Sequence, residues 1–138
     1  MAESNLHISY VEKIMNYVKT IVPKSLQILI DADLPYSTYR TPKVVNGYEP
    51  DVFYSYNSLL IIGEAKTDFD VDRPHSLNQY ASYFKEACNF DGIAILIFCV
   101  SWKTSATIKN IMRRLKWKNN PQHIKIIVIN DMEEIVEI

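Results

Sequence analysis

The apolar positions of this chain change period several times, and each change marks an element. Between residues 5 and 22 they recur at Val11, Ile14, Met15, Val18 and Ile21 or Val22, the spacing of one helix face, and Pro23 ends the run. Residues 26–30 (LQILI) read as a first strand. Beyond a polar stretch lie two short apolar segments, 51–56 (DVFYSY) and 59–66 (LLIIGEAK), joined by Asn57-Ser58. Asn tolerates positive φ, so a two-residue hairpin turn fits there. Residues 74–88 return to helical spacing at Leu77, Tyr80, Ala81, Phe84 and Cys88, with Pro74 in the first turn and Asp72 as the expected cap. Residues 93–100 (IAILIFCV) are apolar without a break, as expected of a central strand covered on both faces and parallel to a neighbour. Ser105 is placed to cap a third helix that turns Ile108, Ile111, Met112 and Leu115 inward, and residues 124–129 read as the last strand. The order helix, three strands, helix, strand, helix, strand predicts an α/β sandwich with a central mixed β-sheet flanked by helices. All of it fits one domain, residues 1–138.

The hairpin carries the candidate chemistry. With a two-residue loop Tyr56 pairs with Leu59, and counting outward sets Asp51 opposite Glu64. Side chains alternate along a strand, so Leu60, Ile62, Glu64 and Lys66 share one face, and Asp51, Glu64 and Lys66 converge on it. A change of register by one residue sends Asp51 to the other face. Gly63 and Ala65, on the opposite face, are small enough for a helix to pack closely. Two carboxylates on adjacent strands can hold Mg²⁺, which prefers oxygen ligands and accepts substrate phosphate as another. The metal polarises a phosphoryl oxygen and lowers the pKa of a bound water, and a lysine beside it can orient that water or offset charge on the phosphate. The plainer reading is a surface carboxylate pair with a lysine salt bridge. It fits less well with charges that close an apolar run, residues 59–62, typical of a buried strand.

Pro50-Asp51 followed by Glu64-Ala65-Lys66, with twelve residues between the carboxylates, resembles the PD-(D/E)xK nuclease superfamily. The resemblance implies a restriction-endonuclease-like three-layer sandwich of order αβββαβαβ. It implies metal held by Asp51, Glu64 and the Ala65 carbonyl, with Lys66 assisting the attacking water. Glu12, in the first predicted helix, matches a glutamate that the family often uses around the metal or its water. Gln79 and Tyr83 match the Q-x-x-x-Y motif of the RecB-type branch, which implies that they face the metals or the DNA backbone. His75, Gln79 and Tyr83 recur every four residues and so line one side of that helix.

Composition narrows the setting. The chain has 138 residues, a net charge of −1 and two cysteines, Cys88 and Cys99, with no metal-ligand spacing around them. Buried free thiols in a reducing cytoplasm are expected. The N-terminus shows no basic start followed by an apolar stretch, and no apolar run approaches the roughly 20 residues of a membrane span. The balance is uneven along the chain. Residues 93–130 contain no Asp or Glu but carry Lys103, Lys109, Arg113, Arg114, Lys116, Lys118 and Lys125. Lys109, Arg113 and Lys116 fall on one helical face, and with Lys103, Trp102 and Trp117 they suit a nucleic-acid backbone; a solvated basic face is the ordinary alternative. The loop 31–47 places Arg40 and Lys43 near Tyr36 and Tyr39, a mix suited to phosphate contact and base stacking, or simply to solvent. Asp68, Asp70 and Asp72 resemble the start of a calcium loop, but Arg73 stands where its glycine belongs and Gln79 where its glutamate belongs.

The expected function is a Mg²⁺-dependent deoxyribonuclease, with Mn²⁺ as a substitute. The expected partner is DNA, contacted through its backbone. Small junction-resolving members imply a homodimer on branched DNA. The Gln79/Tyr83 match implies action on ends or single strands, with association with a larger DNA-processing partner as the alternative to a homodimer. The alternative is a nucleic-acid-binding or assembly module on the same fold without turnover. Phosphate-binding glycine loops, G-x-S-x-G elbows and H-E-x-x-H motifs are absent.

Overall fold

The computed structural model describes residues 4–35, 37–119 and 121–138. Helix α1 spans Asn5–Ile21, and Ser4 caps it by accepting a hydrogen bond from the His7 amide at 3.1 Å. The buried face of α1 is Tyr10, Val11, Ile14, Met15 and Val18, the expected stripe with Tyr10 added.

The first expected strand is not formed. Residues Lys24–Leu29 make a 3₁₀ helix, and strand β1 is only Asp31–Ala32. Leu26 and Leu29, three apart, pack on the core, while Ile28 is 82% exposed. That period of three belongs to a 3₁₀ turn. Gln27 secures it by donating through Nε2 to the Lys19 and Val22 carbonyls at 3.2 and 3.1 Å, which closes the end of α1.

Strands β2 (Val52–Tyr56) and β3 (Leu59–Ala65) form the predicted hairpin, with Tyr56 opposite Leu59. Asn57 and Ser58 both have positive φ, 51° and 61°, as a primed two-residue turn requires. Helix α2 (Pro74–Asn89), strand β4 (Ile93–Val100), helix α3 (Ser105–Asn119) and strand β5 (Ile124–Asn130) follow. A further strand, β6 (Ile135–Glu137), was not anticipated. Two of the expected caps are also corrected. Arg73, not Asp72, occupies the cap of α2, without a side-chain bond. Ser105 is the first residue of α3, and its buried hydroxyl has no hydrogen-bond partner among the described residues.

The six strands form one mixed sheet in the order β1-β2-β3-β4-β5-β6. β3, β4 and β5 run parallel, and the other neighbours are antiparallel. α1 covers one face, where Val11, Ile14 and Val18 meet Ile61, Ile97 and Ile127. α2 and α3 cover the other, where Tyr80, Phe84, Ile108 and Met112 meet Ile62, Leu96 and Val128. The result is an α/β protein with a sheet between helical layers. A Cβ added at Gly63 would lie 2.7 Å from Ile14 Cγ2, so the small residue there admits α1 as expected. Because β3–β5 are parallel, α2 and α3 both begin beyond the strands' carboxyl ends. α1 begins there too, since His7 in its first turn reaches Asp51. Three helix N-termini therefore bring partial positive charge to one end of the sheet.

Candidate functional site

Asp51 immediately precedes β2. The paired register ends with Val52 opposite Gly63, and the Asp51 amide also donates to the Gly63 carbonyl, at 3.0 Å, which holds Asp51 against the carboxyl end of β3. Asp51 Oδ2 accepts from the Ala65 amide at 2.9 Å. From the other side, the Asp33 amide donates to the Asp51 carbonyl at 2.8 Å, so the long loop returns onto the same point. Asp51 and Glu64 are only 6% and 5% exposed. Burial, and then the Asp51 charge, push the Glu64 carboxyl well above its ordinary value, against the opposing pull of Lys66. Lys66 Nζ lies 3.7 Å from Glu64 Oε2.

Helix α2 supplies the far wall. Tyr83 Oη donates to Glu64 Oε1 at 2.8 Å. Gln79 Nε2 donates to the same oxygen at 3.1 Å and to Tyr83 Oη at 2.9 Å. Both residues are buried, and Gln79 Oε1 has no partner among the described residues. Burial first, and then the nearby Glu64 charge, push the Tyr83 phenol upward, so it stays a donor. The buried side of α2 is Ser76, Gln79, Tyr80, Tyr83, Phe84 and Ala87. Leu77 and Ala81, expected in the core, are exposed. The helix has turned its polar pair onto the buried carboxylate, which needs donors more than the core needs Leu77. His75 is exposed and meets the Tyr48 ring edge-on at 5.4 Å between centroids.

Two placements on α1 differ from the expected set. Glu12 is exposed and makes no hydrogen bond or ion pair among the described residues. His7 instead lies beside the pair, with Nε2 3.3 Å from Asp51 Oδ2. Glu12 lies five positions after His7 on the helix, a rotation of about 140°, so the two cannot face the same group. His7 was legible in principle: it precedes Val11 by four positions and Ile14 by seven, and so continues the buried stripe.

The basic residues are spread out. Lys103 is exposed on the turn between β4 and α3, at the carboxyl end of the sheet. Lys109 and Arg113 follow along α3, and Lys116 Nζ donates to the Ile138 carbonyl at 2.7 Å, beside β6. Strand β6 lies three places from β3, or about 14 Å at ordinary strand spacing. On the loop before β2, Arg40 Nε holds Asp31 Oδ1 at 3.1 Å, and Lys19 sits over the Tyr39 ring at 5.6 Å. Tyr36 lies outside the described residues. Cys99 is buried, and Cys88 is half-buried; both are free thiols.

Among the described residues no group of three or more His, Cys, Asp and Glu side chains gathers as a metal site. The donor set at Asp51 and Glu64 is two carboxylates, which leaves backbone and water oxygens to complete a shell. That suits Mg²⁺, which keeps several waters and takes few protein ligands. Burial and the Asp51 charge both oppose ionisation of Glu64, an electrostatic environment that a cation relieves. The residues therefore fit a hard divalent ion. No helix among the described residues is long and apolar enough to cross a membrane. No family model, curated protein or solved structure matches the chain.

Proposed function

We propose that this chain is a metal-dependent nuclease of the PD-(D/E)xK kind, hydrolysing phosphodiester bonds in DNA. The observation that carries the reading is the buried Asp51 and Glu64, neighbours at the carboxyl end of β3, with Lys66 3.7 Å from Glu64. The strand order and the crossover of β3, α2 and β4 support the restriction-endonuclease-like arrangement. Asp51 and Glu64 would hold Mg²⁺ or Mn²⁺. When bound, the ion would polarise the phosphoryl oxygen and acidify a water.

The chain's own residues do the positioning. The Ala65 amide fixes Asp51 Oδ2, and His7 restrains the same oxygen from α1. Tyr83 and Gln79 both donate to Glu64 Oε1, so the carboxylate plane is set before any substrate arrives. Lys66 carries the positive charge that orients water or offsets charge developing on the phosphate. Glu12 is too far around α1 to share this work with His7.

The test is cleavage of linear duplex, single-stranded, supercoiled and four-way-junction DNA in Mg²⁺ or Mn²⁺. Asp51→Ala and Lys66→Ala are assayed beside the parent. Metal-dependent cleavage that falls at least about a hundredfold in both variants is expected. DNA bound equally by all three proteins, with no substrate cut, would replace the nuclease with a binding module.

A further inference from the structure

The loop from β3 to α2 leaves the site directly after Lys66 and presents Phe69, 76% exposed. The Arg73 guanidinium lies over this ring, 4.4 Å from its centroid, and its Nε donates to the Phe69 carbonyl at 3.1 Å. An exposed phenyl ring on a loop tip has no core to serve, and here one of its faces is held by a cation. Asp70, 3.7 Å from Arg73 Nε, fixes the guanidinium in place.

The next loop, from β4 to α3, presents Trp102, 56% exposed, and beside it Lys103. The two loops are fastened together. Ser101 Oγ donates to Asp68 Oδ1, and Thr104 Oγ1 donates to the same oxygen at 3.5 Å. The Trp102 amide is held in turn by Asp131 Oδ1 at 2.8 Å. Asp68, Asp70 and Asp131 are thus engaged by hydroxyl, guanidinium and amide donors.

We propose that these two tethered loops form a platform for single-stranded nucleic acid. Phe69 and Trp102 stack on unpaired bases, while Arg73 and Lys103 meet the phosphates. Aromatic faces accept any base, and they need it out of the duplex stack. The spacing fits a strand entering the site. Phe69 lies three positions beyond Lys66, so their Cα atoms lie within about 11 Å, a few nucleotide steps. The proposal deepens the nuclease reading and rests on it for where the strand is cut, so substrates with ends, flaps or frayed bases are favoured over intact duplex.

The experiment measures binding by fluorescence anisotropy in the Asp51→Asn background, so that no strand is consumed. The probes are oligothymidylate, oligouridylate, an abasic backbone of equal length and a blunt duplex. Both base-bearing strands are expected to bind at least about tenfold more tightly than the abasic one. Phe69→Ala and Trp102→Ala should each weaken them about tenfold and leave abasic binding unchanged, while Phe69→Tyr keeps parental affinity. Equal tightness for oligothymidylate and oligouridylate supports a base-tolerant platform, and a preference for one sugar supports it while naming the strand. Equal binding of base-bearing and abasic strands overturns the proposal, as does an equal loss from both in the alanine variants. Stacking that stands while the parent protein cuts nothing in Mg²⁺ or Mn²⁺ overturns the nuclease reading alone.

Discussion

The two faces of β3 make opposite use of the same seven-residue strand. On one face Gly63 and Ala65 offer almost no side chain, and α1 closes onto them. On the other, Glu64 is buried against Asp51, Lys66 and two donors from α2. The first face contributes packing and the second holds a charge that burial opposes. Because the alternation is strict, a single strand can anchor the core and expose chemistry without either intruding on the other. The difference also explains the polar buried side of α2: it must satisfy Glu64, whereas α1 meets Gly63 and Ala65 by fit alone and turns only His7 to a carboxylate.

Substituting each face in turn breaks this symmetry. Gly63→Val places new carbon atoms where Ile14 Cγ2 already lies within 2.7 Å of an ideal Cβ. Overpacking of a closed core costs about 1–3 kcal/mol. A lowered melting temperature is expected, with cleavage by the folded fraction retained. A variant that melts like the parent would show that α1 can back away from β3, and the packing half of the comparison would fail.

The chemical face is expected to respond to pH rather than to volume. Glu64 has a folded-state pKa raised above its ordinary 4.5. The folded state therefore holds the proton more tightly than the unfolded chain does. This contribution to stability is complete below the ordinary value and is lost as pH rises through the raised one. Metal-free protein should lose melting temperature across that window. Glu64→Gln should remove the dependence, because its amide oxygen can still accept from Tyr83 and Gln79 but it has no proton to lose. Mg²⁺ should flatten the same slope in the parent by stabilising the ionised pair. Melting curves over pH, with and without metal, check all three; an unchanged slope in Glu64→Gln would move the titration to another group.

How far the sequence shows these features depends on the range of the forces involved. The hairpin register was legible because Asn57-Ser58 admits positive φ locally, and the pairs from Tyr56 with Leu59 out to Val52 with Gly63 follow by counting. The central strand β4 was legible from its unbroken apolar run. Residues 26–30 were not, because a five-residue apolar run suits a strand or a turn of 3₁₀ helix, and Gln27 decides it through bonds to α1. The three-residue strand β6 leaves too short a pattern to recognise. The rotation of α2 was hidden for a different reason: hydrophobic spacing favours Leu77 and Ala81, and only the buried Glu64 makes Gln79 and Tyr83 the better inward residues. His7 continued a stripe already recognised, but its role depends on where a strand distant in sequence ends.

The smallest expected effect separates the two ends of the basic series. Lys103 stands exposed on the turn beyond the carboxyl end of β4, while Lys116 is engaged by the Ile138 carbonyl at 2.7 Å beside β6. Each lysine that neutralises a phosphate steepens the dependence of log affinity on log salt by about 0.9 on duplex DNA and about 0.7 on a single strand. Lys103→Ala should lower the measured slope by about that amount on a single strand. Lys116→Ala should leave it nearly unchanged, because its ammonium is engaged by the Ile138 carbonyl beside β6, a strand about 14 Å from β3. Binding titrations at several salt concentrations measure both slopes. A fall of similar size for Lys116→Ala would mean that the nucleic acid follows α3 from end to end, and the contact surface would then extend well beyond the carboxyl edge.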